Sequence, residues 1–238
     1  MIGGFIVNGT TPKKVLARGI GPSLAPFGVA NPLLDPVLQV FSGQTLLATN
    51  DNWQDTDPVA ISATGLAPGD PRESALIMTL PPGAYTVIES GAQSTEGIAL
   101  VEVYDLETGS ASLLANISTR GVVEAGDRVM IGGVIVAGVD PGRFVVRALG
   151  PSLGTFGIPD PLGNPSLDLH DGNGNTIASN DNWRDDPQAD DLQGLGLAPG
   201  DDLEPAVVRT LAPGNYTAIV RSVDPNNVGV ALVEIYRE

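Results

Sequence analysis

The chain writes Asn50-Asp51-Asn52-Trp53 a second time as Asn180-Asp181-Asn182-Trp183, and this repetition sets the register of a duplication that runs through nearly the whole sequence. Ile2-Gly3-Gly4-Phe5-Ile6-Val7 returns as Ile131-Gly132-Gly133-Val134-Ile135-Val136, and Gly21-Pro22-Ser23-Leu24 as Gly150-Pro151-Ser152-Leu153. Pro82-Gly83-Ala84-Tyr85-Thr86 matches Pro213-Gly214-Asn215-Tyr216-Thr217. Gly97-Ile98-Ala99-Leu100-Val101-Glu102-Val103-Tyr104 matches Gly229-Val230-Ala231-Leu232-Val233-Glu234-Ile235-Tyr236. The offset grows one residue at a time, and each slip falls in a turn-like stretch, where insertions are tolerated best. A repeat this long lies far outside the roughly 20–50 residues of solenoid units. It is a domain-sized unit, and the chain is read as two tandem domains of one fold, residues 1–119 and 120–238. The stretch from Glu107 to Met130 has no second copy, and the chain ends where the next one would begin, as in a piece of a longer array.

Within each copy the apolar residues alternate or run in short blocks, and the spacing of an amphipathic helix is hard to find. Strands are expected near Gly4–Asn8, Lys14–Gly19, Val37–Phe41, Thr45–Thr49, Ser74–Leu80, Ala84–Glu89, Ile98–Tyr104 and Leu113–Thr119. The second copy repeats the first seven near residues 133–138, 143–148, 166–170, 176–179, 206–211, 215–221 and 230–236. Thirty Gly and twenty Pro are spread between these runs as turn punctuation. Ser42-Gly43 and Asp171-Gly172-Asn173-Gly174-Asn175 sit at hairpin turns. The fold class is therefore all-β: two tandem β-sandwich domains, jelly-roll-like, with short helical turns near 61–64 and 192–195. With aromatics at 5%, the cores must be aliphatic.

Charge narrows the partners. A net charge of −16 with 12 basic residues argues against nucleic acid, which needs a basic face. With no cysteine, disulfides and thiolate metal sites are excluded. No apolar run approaches the roughly 20 residues of a membrane span, and no secretory signal is visible.

Few residues suggest chemistry. His170, the single histidine, stands where the first copy has Phe41, so shared acid–base work is not expected of it. The Gly-x-Gly after Arg18 and Arg147 is followed by Pro and not by a helix, which excludes a dinucleotide site. Asp171 to Asn175 looks like the front of a calcium loop but lacks a Glu at the twelfth place, and an Asx-type turn explains it better. Asn50, Asp51 and Asp55 recur as Asn180, Asp181 and Asp185 and supply hard oxygen ligands of the kind Ca²⁺ takes. The competing reading is that they satisfy the backbone of their own loop. Trp53 and Trp183 are either plugs of an aliphatic sandwich or platforms for a sugar ring or a partner. Arg18 and Arg147, Glu73 and Glu204, and Glu102 and Glu234 are kept in both copies, as ion pairs or caps of turn N–H groups would be.

From Leu167 to Asp181 and Leu211 to Thr217, with Leu38 to Asp51 and Leu80 to Thr86 as the poorer copy, the order of strand, Asp-Gly-Asn-Gly turn and Ala-Pro-Gly-Asn-Tyr-Thr resembles pre-peptidase C-terminal domains. That resemblance implies a non-catalytic β-sandwich of exported bacterial multidomain proteins, some of whose relatives bind calcium or matrix polymers. It does not reach the Ile-Gly-Gly-Phe-Ile-Val, Gly-Pro-Ser-Leu or Ala115 to Gly121 stretches, which look more like tandem repeats of bacterial surface proteins.

The expected role is thus a non-enzymatic module at the cell surface or outside the cell, structural, adhesive or polymer-binding, with Ca²⁺ at the Asn-Asp loops as the one expected cofactor. Its partners would be an extracellular polysaccharide, a matrix polymer or neighbouring repeats. One alternative is a carbohydrate-binding module built on Trp53 and Trp183. Another is part of a secreted hydrolase, which would need two carboxyls about 5–9 Å apart in a cleft.

Overall fold

A computed structural model describes residues 1–238 apart from Thr108, Ala125, Asp127 and Pro225. Three of these belong to the uncopied stretch 107–130, so that part of it lies outside the described residues. The chain forms two compact units, Met1–Ala115 and Asn116–Glu238, which places the division four residues before the expected 119/120.

Unit 1 contains β1 (Ile2–Gly9), β2 (Lys13–Ile20), β3 (Pro36–Ser42), β4 (Thr45–Asn50), helix α1 (Pro58–Ala63), β5 (Ser74–Leu80), β6 (Gly83–Gly91) and β7 (Leu100–Asp105). One sheet runs β1-β6-β3-β4 and the other β5-β2-β7, with antiparallel pairing throughout. The division between the units falls within β8 (Ser112–Val123). Unit 2 continues with β9 (Met130–Val136), β10 (Gly142–Leu149), β11 (Pro165–Asp171), β12 (Thr176–Asn180), helix α2 (Ala189–Gly194), β13 (Ala206–Leu211), β14 (Gly214–Ser222) and β15 (Gly229–Arg237). Its sheets run β9-β14-β11-β12 and β13-β10-β15-β8. Strand for strand this is the order of unit 1, with β8 added beside β15. Each unit is a two-sheet sandwich, as the alternation requires.

The strands facing each other build aliphatic cores. Phe5, Val7, Val15, Ala17, Leu38, Val40, Leu76 and Val87 form that of unit 1, and Phe144, Val146, Leu167, Leu169, Val207, Val220, Val233 and Ile235 are among those of unit 2. The central strands are buried on both faces. Val15 and Ala17 point between the sheets, while Leu16 points the other way, against Trp53, Ile61 and Ala75. Val145 does the same against Trp183, Leu192, Ala206 and Val208. The long Pro-Gly-Asp connections, which the sequence presents as plain linkers, are therefore a cover over the outer face of one sheet. A strand with both faces buried reads as a continuous apolar block, and Val-Leu-Ala and Phe-Val-Val are such blocks.

Two further turns precede β3 and β11. Pro22–Phe27 and Pro151–Phe156 each form a 3-10 segment, an element that the strand reading passes over. Gly21 and Gly150 open them because the chain passes against a neighbouring carbonyl. A Cβ there would lie 1.9 Å from Leu33 O and 2.2 Å from Leu162 O.

Candidate functional site

The residues shared by both units divide into those that hold the fold and those that stay in solvent. Glu73 is fully buried and accepts from Gly21 N at 3.0 Å, Ser23 N at 2.8 Å, Ser23 Oγ at 2.8 Å and Asp70 N at 3.2 Å. Glu204 repeats the set with Gly150 N, Ser152 N, Ser152 Oγ and Asp201 N. A carboxylate has about four acceptor positions, and these two are saturated by turn donors. The capping reading of the paired Glu residues is what the geometry gives.

Arg18 meets Glu102, its Nε donating at 2.9 Å, and Tyr104 OH donates to the second carboxylate oxygen at 2.7 Å. The guanidinium lies over the Tyr104 ring, 5.0 Å from its centre. Arg147, Glu234 and Tyr236 form the same triad. Burial first, then the negative charge of Glu234, pushes the Tyr236 hydroxyl up to about 12, and Tyr104 shifts the same way, chiefly through burial. Neither phenol is suited to proton transfer near neutrality.

The Asn-Asp-Asn-Trp loops are also structural. Asn50 Nδ2 donates to Asn52 O at 2.8 Å, and its Oδ1 accepts from Ala75 N at 2.8 Å. Asn180 does the same with Asn182 O and Ala206 N. Each Asn thus fastens the loop to the strand that follows it. Asp51 and Asp181 are exposed; Asp55 accepts from Asn52 Nδ2 at 3.3 Å and Asp181 from Asn182 Nδ2 at 3.3 Å. Asp185 is exposed beside them. Burial, with the charges of Asp35 and Asp55, raises the Asp51 carboxyl. Among the described residues no group of three His, Cys, Asp or Glu converges as metal ligands would. The Oδ1 atoms of Asn50 and Asn180 face backbone N–H groups and not the aspartates.

The tryptophans are 9% and 3% exposed. Each covers the outer face of its sheet, so neither offers a ring face as a ligand platform, and the plug they form lies over a sheet and not at an end of the sandwich. The guanidinium of Arg184 lies 4.3 Å from the Trp183 ring centre. Asp171 Oδ1 accepts from Asn173 N and Asn175 N, both at 2.9 Å, which makes the Asp-Gly-Asn-Gly turn an Asx turn. The Asn175 side chain, first among these bonds, lowers the Asp171 carboxyl. His170 lies at the same hairpin, with Nδ1 3.3 Å from Gly174 O.

What remains in solvent is an aromatic pair that sequence reasoning missed. Phe27 is 85% exposed and Phe156 78%, at matching places on the 3-10 turns that Glu73 and Glu204 fasten. The signal was the repeated Gly-Pro-Ser-Leu-x-x-Phe-Gly, a Phe with no alternating apolar neighbours just before a glycine at positive φ. Unit 2 also carries a shallow depression of about 220 Å³ lined by Ser166, Leu167, Asp168, Ser179, Asn180 and Asp181.

No family model matches the chain, and no curated protein matches it. A solved structure of the tandem CBM51 modules of Sp3GH98, the family 98 glycoside hydrolase from Streptococcus pneumoniae, aligns with 98% of this chain and 81% of its own at 10% identity, with a TM-score of 0.25. A likeness of that size says nothing about what this chain binds. The protein is an all-β tandem of sandwich units, and no helix among the described residues is long and apolar enough to cross a membrane.

Proposed function

We propose that the chain is a non-catalytic tandem of β-sandwich modules from an exported bacterial protein, structural and adhesive in role, which grips an extracellular polymer through the exposed aromatic turn of each unit. The observation that carries this reading is the exposure of Phe27 and Phe156 on turns held rigid by buried carboxylates. An apolar ring fixed in solvent presents contact area at little conformational cost. Two equal sites in one chain suit a repetitive ligand, since linked weak contacts gain by effective concentration. The acidic surface favours a neutral or cationic polymer over a polyanion. The non-catalytic part rests on Glu73, Glu102, Glu204 and Glu234, the carboxylates kept in both units, each engaged by fold-holding donors.

The test is retention on cellulose, chitin and chitosan beads, with wild type beside Phe27→Ala, Phe156→Ala and the double variant. Each single change should lower retention and the double change abolish it, with melting unchanged. A double variant retained as well as wild type would refute the assignment.

A further inference from the structure

The two units differ at one sheet edge. In unit 2, β15 pairs with β10 on one side and with residues 116–123 of β8 on the other. In unit 1 the matching strand β7 pairs with β2, and it ends its sheet. Residues 97–104 and 229–236 are nearly the same sequence, so one segment is seen in two settings. Burial follows the setting. Val233 and Ile235 are 1% and 3% exposed, whereas their counterparts Val101 and Val103 are only partly buried, with Leu100 43% and Ile98 52% exposed. Natural edge strands are protected by Pro, Lys or a bulge. Leu-Val-Glu-Val-Tyr-Asp contains neither residue, and its register against β2 is unbroken.

We infer that the β7 edge is an acceptor for a strand of the type Asn116–Val123, supplied by a neighbouring module of the same kind. Unit 2 gives the register. There Val123 stands opposite Gly229, Gly121 opposite Ala231, Thr119 opposite Val233 and Ile117 opposite Ile235. On unit 1 the same strand runs antiparallel along Gly97 to Tyr104, with Ile117-type and Thr119-type side chains beside Val103 and Val101. Asn116 Nδ2 donates to Ile235 O in unit 2 at 3.2 Å, and the carbonyl of Val103 occupies the corresponding place in unit 1. The donor strand carries one charge, that of Arg120, favourable on a chain of net charge −16. Backbone bonds supply affinity in such strand addition, and the alternate side chains select the partner.

The experiment adds a synthetic peptide with the sequence of residues 115–123 to the full chain and follows amide hydrogen exchange. A control peptide carries Thr119→Pro and Gly121→Pro, which remove two donors that face the acceptor strand, as the N–H groups of Thr119 and Gly121 face Val233 and Ala231 in unit 2, without touching the protein. At about ten times its Kd, the first peptide should slow exchange across Leu100–Asp105 about tenfold, and the control should leave it unchanged. Equal protection by both peptides, or none by either, overturns the proposal. So does entry of the peptide beside β15 in place of β8 with β7 unprotected. A chain that dimerises through β7 and gains no protection from the peptide would overturn the assigned occupant as well.

Discussion

Arg18 donates from Nη1 to the carbonyl oxygen of Leu66 at 2.5 Å, and Arg147 repeats the bond to Leu197 at 2.7 Å. The bond ties a strand of the three-residue charged triad to the loop that covers its sheet. Lysine cannot hold the carbonyl and the Glu102 carboxylate together, because it lacks the planar fork. Arg18→Lys should therefore lower the stability of unit 1 by about 1–3 kcal/mol and raise protease cleavage between residues 55 and 71. Urea titration with limited proteolysis checks both. Equal cleavage in variant and wild type would count against the clasp.

Glu73→Ala removes the acceptor of four turn donors. Unpaired buried donors cost about 1–3 kcal/mol each, so unit 1 should lose at least about 3 kcal/mol. Unit 2 should melt as before. The mirror change, Glu204→Ala, should reverse the pattern in calorimetry.

Each unit holds a single tryptophan, buried over its sheet. Trp53→Ala or Trp183→Ala should destabilise its own unit by about 3–5 kcal/mol. The indole nitrogens of both residues have no hydrogen-bond partner among the described residues. Trp→Phe at either position should accordingly cost less than Trp→Ala. Each Phe variant leaves one tryptophan, in the other unit, so fluorescence follows the unchanged unit alone and calorimetry reads the loss in the changed one.

Glu89 should give unit 1 a pH dependence that its counterpart Val220 cannot give unit 2. It is 2% exposed, and neither carboxyl oxygen has a partner among the described residues. Burial raises its pKa from 4.5 to about 8, the Met1 ammonium pulls it down, and Glu73 pushes it up. The strands around it present Leu38, Gly19 and Ser74. Unit 2 has Val220 in its place, with Ala148 and Pro205 where unit 1 has Gly19 and Ser74. A raised folded pKa means that folding favours the protonated acid. This contribution is fully present below about pH 4.5 and is lost as pH rises through about 8. Across that window unit 1 should weaken by an amount of order 4 kcal/mol relative to unit 2. Glu89→Gln should flatten the profile, and Glu89→Val should raise stability at pH 8. A slope that survives Glu89→Gln would show that another group is responsible.

The sequence by itself determined the duplication, the all-β class and the placement of the strands. Those follow from local causes: alternation of apolar residues, Gly and Pro at turns, and the same pattern written twice. Ser74–Leu80 and residues 206–211 form strands with the expected bounds, and most others differ by a residue or two at their ends. It also marked Arg18, Glu73 and Glu102 as paired or capping charges. The tertiary structure alone decided which side chains meet. Trp53 and Asn50 look like ligands in a loop until the loop folds over β2, where burial turns the indole into a cover and the amide into a fastener. Phe27 carries no reading in the sequence; its exposure follows from a turn that Glu73 fastens through Ser23, fifty residues away along the chain. The open β7 edge is invisible in sequence, because residues 97–104 and 229–236 read alike. Whether they are covered depends on a strand brought in by the rest of the fold.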